Sequence, residues 1–372
     1  MFRNIQSSVK ESIDPTTGSL TFPIHQTSAY LMPEGERYRY SRESNPTVEE
    51  LSRVMAILEK GEAATSFSSG MGAISTTLLA LSKPGYRILI HKDSFARTYK
   101  FVTEYMKGWN MIPVVAEPGN KALLEKAGEA DIVLIESLTN PILRVYDIEA
   151  IANKVHEKGG LLIVDSTFAT PINQRPLELG ADVVIQSLSK FISGHNDTIA
   201  GSASGNKNLI EKIDNLRRTL GTSLDPNTAY LTLRGIKTLE VRMNYINSAA
   251  MKVATSLKSV NGFSNVRYPG LPEHPEHDLA KKTMSGFGGL VTFDVDAVAS
   301  DPLKAMKKLK VVTPANTLGG SGSTISHPGT MSHRSLTKEE KDKLGITHGT
   351  FRLSVGLESP EDIVEDLLSM IS

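Results

Sequence analysis

Between residues 46 and 235, short apolar runs at 87–90, 112–115, 132–135, 161–164 and 183–185 alternate with stretches long enough to be helices. Strand and helix in alternation, with crossovers of a dozen or more residues, predict an α/β fold with a mainly parallel sheet covered on both faces. Helix signals lie between the runs. Asn45 can cap a helix that Pro46 opens, with Leu51, Val54, Met55 and Leu58 on one face. Asp147 begins another, with Ile148, Ile151, Ala152 and Val155 on one side and Gly159 and Gly160 closing it. Residues 1–45 read as an irregular arm, with Pro15, Pro23 and Pro33 among polar residues. After Gly235 the pattern changes to a long helix carrying Met243 through Leu257, strands at 290–295 and 351–355, and a terminal helix at 360–371. That helix places Ile363, Val364, Leu367, Leu368 and Ile371 on one side, a stripe expected to pack in a core. The predicted division is an arm (1–45), a large domain (46–235) and a smaller C-terminal α/β domain (236–372).

Ligands in open α/β sheets bind at the carboxyl ends of the strands. Lys190 stands there, after the 183–185 run and the residues Ser187, Leu188 and Ser189. A lysine at the end of a buried strand, with small hydroxyl residues one and three places before it, can hold an aldehyde cofactor as a Schiff base. Asp165 ends the 161–164 run at the same edge, where a carboxylate can pair with a pyridinium nitrogen. Together they point to pyridoxal 5'-phosphate (PLP). Ser69, Gly70, Met71 and Gly72 precede the helical segment of Ile74, Leu78 and Leu79, and free N–H groups at a helix start make a phosphate seat. By themselves these four residues fit an ordinary turn equally well.

Composition removes several classes of function. The 372 residues carry 41 basic and 41 acidic side chains, so no global field favours nucleic acid or an anionic membrane. Lys304 to Lys310 and Lys338 to Lys343 read as charged surface. No apolar stretch approaches the roughly 20 residues of a membrane helix, and Met1, Phe2, Arg3 and Asn4 do not open a signal peptide, so a soluble, cytoplasmic protein is expected. Without cysteine there is no disulfide, thiolate metal site or cysteine nucleophile. His274, Glu276 and His277, beside Pro272 and Pro275, are expected in a loop and not as a metal site. Gly286, Phe287, Gly288 and Gly289 lead into a strand, unlike a dinucleotide fingerprint.

Several separate motifs in order resemble those of the Cys/Met-metabolism family of PLP enzymes, the trans-sulfuration enzymes. They are Tyr40, Ser41, Arg42 with Asn45, Pro46, Thr47; Ser69, Gly70, Met71; Glu136, Ser137 with Asn140, Pro141; Asp165; Ser187 to Lys190 with Ser193, Gly194, His195; Arg234 to Leu239; and Arg352 to Gly356. The resemblance implies a fold type I PLP-dependent transferase and a homotetramer built from dimers. It makes Lys190 the Schiff-base lysine and proton shuttle, and Asp165 the pyridinium partner. Ser69, Gly70, Met71, Ser187 and Ser189 would hold the phosphate, with Tyr40 and Arg42 donated by a neighbouring subunit. Asn140 would lie near the ring oxygen and Arg352 would clamp the substrate carboxylate. The chain departs from the family at Phe95, Ala96, Arg97, where many members have tyrosine followed by two glycines or by glycine and cysteine. Phe95 keeps the stacking face and loses the phenol. Arg97 offers a cation to a distal carboxylate or phosphate. Thr317 replaces a serine, and Asn316 and Gly322 stand where several relatives have glutamate. Residues 140–145 and 271–274 look most like cystathionine gamma-synthases and gamma-lyases, which implies gamma-replacement on an activated homoserine, with lyase or sulfhydrylase activity as the alternative.

Overall fold

The structure is a computed structural model and describes residues 6–10, 12–14, 16–31, 37–334 and 336–371. Met1, Phe2, Arg3, Asn4, Pro15 and Pro33, read above from sequence, lie outside the described residues.

The strands are β1 (Ala63–Phe67), β2 (Arg87–His91), β3 (Ile112–Ala116), β4 (Ile132–Glu136), β5 (Leu161–Asp165), β6 (Val183–Ser187), β7 (Gly201–Gly205), β8 (Ser264–Arg267), β9 (Leu290–Asp294), β10 (Thr313–Pro314), β11 (Thr324–Ser326) and β12 (Thr350–Ser354). The α-helices are α1 (Pro46–Glu59), α2 (Gly70–Leu81), α3 (Ala96–Lys100), α4 (Asn120–Ala127), α5 (Ile148–His156), α6 (Thr170–Asn173), α7 (Lys207–Leu220), α8 (Pro226–Ile236), α9 (Leu239–Lys258), α10 (His277–Thr283), α11 (Pro302–Met306), α12 (Lys338–Leu344) and α13 (Pro360–Leu368).

The first seven strands form one sheet in the order β1-β7-β6-β5-β4-β2-β3. β3, β2, β4, β5 and β6 run parallel, and β7 is antiparallel to both β6 and β1. Alternate residues on each strand serve opposite faces. Ile132, Leu134, Ile163, Val183 and Ile185 pack with Ile74 and Leu78 of α2 and Ile213 of α7. Val133, Ile135, Leu162, Val164 and Val184 pack with Leu123 of α4 and Ile151 and Val155 of α5. Both faces are therefore dry, and each fully buried aliphatic side chain contributes about 1.5–3 kcal/mol.

The caps fall where residue types predict them. Asn45 accepts the Thr47 N–H at 3.0 Å, Ser69 that of Gly72 at 2.9 Å and Asp147 that of Ala150 at 3.1 Å. The remaining five strands form a second sheet, β10-β11-β12-β9-β8. Its core joins Val291, Phe293, Phe351 and Leu353 to Val253 and Leu257 of α9 and to Ile363 and Leu367 of α13. Val364, Leu368 and Ile371 pack against the same cluster, although α13 ends at Leu368 and turns follow it. The 286–289 run does lead into a strand, β9. His274 lies in a turn as expected, whereas His277 opens α10, where its Nδ1 lies 2.9 Å from the Pro269 carbonyl.

Candidate active site

Register places the chemistry. Glu136, Asp165 and Ser187 are the last residues of three adjacent strands, with Glu136 opposite Asp165. β1 leaves the same edge into Ser69 and α2, and β2 into Asp93 and Phe95.

Gly70 is required by close approach, because a Cβ there would lie 2.9 Å from Ser187 Cβ and 3.0 Å from its Oγ. The amino end of α2 is thereby pressed against the end of β6, and its N–H groups and dipole face the space above both. Met71 packs beside it, its sulfur 3.7 Å from Thr98 Oγ1. Ser189 is occupied with the backbone, accepting the Ala200 N–H at 3.0 Å and donating to the Ala200 carbonyl at 3.3 Å.

Thr167 connects the two sheet-end residues. Its hydroxyl accepts the Ser187 N–H at 2.8 Å and donates to Asp165 Oδ1 at 2.5 Å, while its own N–H reaches the same oxygen at 3.1 Å. Burial pushes the Asp165 carboxyl up, and the two Thr167 bonds oppose that push. The sequence expectation of an ionised Asp165 thus depends on a cation beside it, which would favour the charged form.

Lys190 lies in the turn after β6, its N–H donating to the Ser187 carbonyl at 3.2 Å. Desolvation lowers its pKa, and the charge of Arg352 lowers it further. A larger fraction of uncharged amine is the form that attacks a carbonyl and accepts a proton.

Arg352, 4% exposed, projects from β12 of the second sheet. Its Nη1 donates to Asn140 Oδ1 at 2.9 Å and its Nη2 to the Thr317 carbonyl at 3.1 Å. Its buried Nε has no partner among the described residues. Gly319, two residues after Thr317, has φ +77°, and a Cβ there would lie 2.5 Å from the Phe191 N and 2.9 Å from the Lys190 carbonyl carbon. The 317–319 loop is therefore seated on the lysine turn itself.

Phe95, 38% exposed, precedes α3, and its N–H donates to Glu136 Oε1. Arg97 and Asn316 are exposed, and no ion pair joins Arg97 to any described residue. Tyr40 and Arg42 lie together on the surface, with the guanidinium carbon 5.7 Å from the tyrosine ring. Within one chain Arg42 bonds the Arg218 carbonyl, and the Ser223 hydroxyl donates to the Arg42 carbonyl at 2.7 Å.

Thr167 and Arg242 were not singled out from sequence. Arg242, on α9, donates to the carbonyls of Phe191 at 2.6 Å, Ile192 at 3.0 Å and Gly235 at 2.9 Å, fixing the chain just past the lysine. The small hydroxyl residue two places after Asp165 was a readable turn signal; nothing local marks Arg242.

Residues 5–371 match the family described as Cys/Met metabolism PLP-dependent enzyme. The chain belongs to that family.

Among relatives in the Cys/Met-metabolism family, it is similar to cystathionine gamma-synthase 1 of Arabidopsis thaliana, 38% identical over 369 residues. That match covers 95% of this chain and 66% of the plant protein, so the chain spans about two thirds of that relative. It is also similar to cystathionine gamma-lyase of Bacillus subtilis, 37% identical over 361 residues, covering 95% of this chain and 94% of the relative. A solved structure of cystathionine gamma synthase from Xanthomonas oryzae pv. oryzae, in complex with aminoacrylate and cysteine, superposes with a TM-score of 0.94. It shares 32% identity and covers 100% of this chain and 98% of that one.

The protein is accordingly a PLP-dependent enzyme of the trans-sulfuration family, and its residues suit that cofactor. Gly70 lets the amino end of α2 approach Ser187 as a residue with a Cβ could not, Asp165 is buried with no cation beside it among the described residues, and Lys190 is uncharged more readily than a free lysine. Among the described residues, no helix is long and apolar enough to cross a membrane.

Proposed function

We propose that the protein is a cystathionine gamma-synthase, replacing the gamma substituent of an O-activated homoserine with cysteine. The observation that carries an amino-acid substrate is the buried Arg352 beside Lys190, with an unpartnered Nε. A carboxylate is the anion a guanidinium fork takes in two bonds, and Asn140 and the Thr317 carbonyl already aim the fork. Arg97 fits a substrate with a distal anion. It is an exposed cation with no ion-pair partner among the described residues, two residues after Phe95, and suits the distal carboxylate of a succinyl group.

In this reading Ser69, Gly70, Met71, Ser187 and Ser189 hold the cofactor's phosphate, Asp165 faces its ring nitrogen, Phe95 covers the ring and Asn140 lies beside it. Bound PLP supplies an electron sink for charge developing at the substrate's alpha carbon. Lys190 Nζ removes the alpha proton and returns a proton further along the chain, so that the gamma substituent leaves and a thiol can add. Phe95 has no hydroxyl to share that work, which leaves it to Lys190 and water. Residues 46–235 form the cofactor domain and 236–372 the smaller domain. Tyr40 and Arg42 reach a neighbouring subunit's phosphate in a cytoplasmic homotetramer.

A second reading, cystathionine gamma-lyase, is favoured by the same Arg97, since cystathionine also carries a distal carboxylate. The deciding assay offers O-succinylhomoserine or O-acetylhomoserine with and without cysteine, and cystathionine alone. Cystathionine formed only when cysteine is present establishes the synthase. Oxo acid released from cystathionine at a higher kcat/KM establishes the lyase.

A further inference from the structure

Glu136 has no part in the reaction as derived above, yet it stands between the Phe95 loop and the Asp165 strand end. It is 8% exposed, ends β4 and stands opposite Asp165. Its Oε1 accepts the Phe95 N–H, and the Asn140 backbone lies near enough to favour the charged form of the same carboxyl. Behind it, its own N–H donates to His91 Nε2 at 3.3 Å. Because that nitrogen accepts, the His91 proton sits on Nδ1 and is donated to Asp93 Oδ1 at 2.8 Å. Asp93 is held in turn by Tyr146 Oη at 3.2 Å and Arg144 Nε at 3.3 Å. Glu136, its backbone amide tied from the rear by this chain of bonds, thus holds the Phe95 amide with the carboxyl at its front.

We infer that Glu136 is a positioning residue that sets Phe95 over the cofactor ring and Asn140 beside it, and through the Asn140 side chain aims Arg352 at the substrate carboxylate. The inference rests on the assignment of Phe95 and Asn140 to the ring, proposed above. Glu136 does this as an uncharged acid. Burial and the neighbouring Asp165 push its pKa well above the carboxylate range, the Phe95 amide opposes them, Asp93 adds to the push and the Asn140 amide opposes it again. A neutral carboxyl still offers oxygen to the Phe95 amide, and it leaves Asp165 free to carry the negative charge at that edge.

The test uses the holoenzyme and PLP-titrated apoprotein of Glu136→Gln and Glu136→Ala, each first shown to be folded by circular dichroism. Glu136→Gln keeps an acceptor oxygen, and is expected to bind PLP within about twofold of wild type with an unshifted visible band, while losing one protonated-carboxyl band from the infrared difference spectrum. Glu136→Ala leaves the Phe95 amide unpaired and removes the carboxyl near Asn140, and is expected to weaken PLP binding about tenfold or more, and to raise KM by more than it lowers kcat. If Glu136→Ala does not fold, Glu136→Asp, one methylene shorter, takes its place with the same expectation. Wild-type binding and spectrum in Glu136→Ala, or a Gln variant as impaired as the Ala variant, would overturn the inference. Phe95→Leu and Asn140→Ala are measured in parallel. If neither alters PLP binding while Glu136→Ala does, the ring assignment fails and Glu136 acts elsewhere.

Discussion

The strand-end edge and the entrance differ in how firmly each is held. At the edge, Glu136 pairs with Asp165 and Asp165 with Ile185, two residues before Ser187, while Gly70 lies against Ser187 and Thr167 bonds both Asp165 and the Ser187 amide. At the entrance, Phe95 is 38% exposed, and Arg97 and Asn316 face water from loops or helix ends. A change at the edge disturbs the contacts of the sheet, whereas exposed side chains such as Arg97 and Asn316 can be exchanged at little cost to the fold. That division matches what the relatives are called: synthases and lyases share the fold, so their differences must lie in positions that tolerate exchange.

The sharpest break of this comparison is Lys190→Ala. Removing the amine is expected to lower kcat by about a thousandfold or more and to abolish the visible band of the bound cofactor, read by stopped assay and absorbance. Arg352→Lys follows. A point charge cannot reproduce the fork, and kcat/KM should fall about 10–100-fold, chiefly through KM, with PLP content unchanged. Gly70→Ala tests the rigidity of the edge: with a Cβ placed 2.9 Å from Ser187, the protein should lose about 1–3 kcal/mol and bind PLP more weakly, seen in thermal melts and titration. Loading of apoprotein should speed up as pH rises, because only the neutral amine attacks the aldehyde. Burial and the charge of Arg352 hold the Lys190 pKa below that of a free lysine, so the rate should level off at a lower pH than a free amine would show. Arg97→Ala should have the smallest effect, a loss of up to about fivefold in the preference for succinylated over acetylated homoserine, with turnover of the preferred substrate little changed.

The parallel part of the large sheet was legible because its strands are continuous apolar runs, and Asp165 and Lys190 were legible because such runs end where ligands bind. β1 and β7 were not. Their sequences, Ala63 to Phe67 and Gly201 to Gly205, hold small and polar residues with no apolar run. They are strands because of their neighbours: a Cβ on Gly201 would lie 2.3 Å from the Ser69 carbonyl, so only a bare backbone can lie beneath the start of α2. The short strands β8, β10 and β11 escaped for want of length. In the site, the charge of Arg352 reaches Lys190 although 162 positions separate them, because the 317–319 loop that Arg352 bonds at Thr317 is seated on the lysine turn. Residue types gave each partner a chemistry; only packing gave them an address.

Arg242 ties these halves together in a way that bears on how such an enzyme can be altered. The guanidinium belongs to α9, whose Val253 and Leu257 are built into the core of the second sheet, yet its bonds end on carbonyls one and two residues beyond Lys190. The reactive lysine is moored by the very helix that carries the substrate-clamping half of the molecule. A graft that exchanged the second sheet for a relative's, in search of a new substrate, would have to bring its own mooring or inherit a slack lysine.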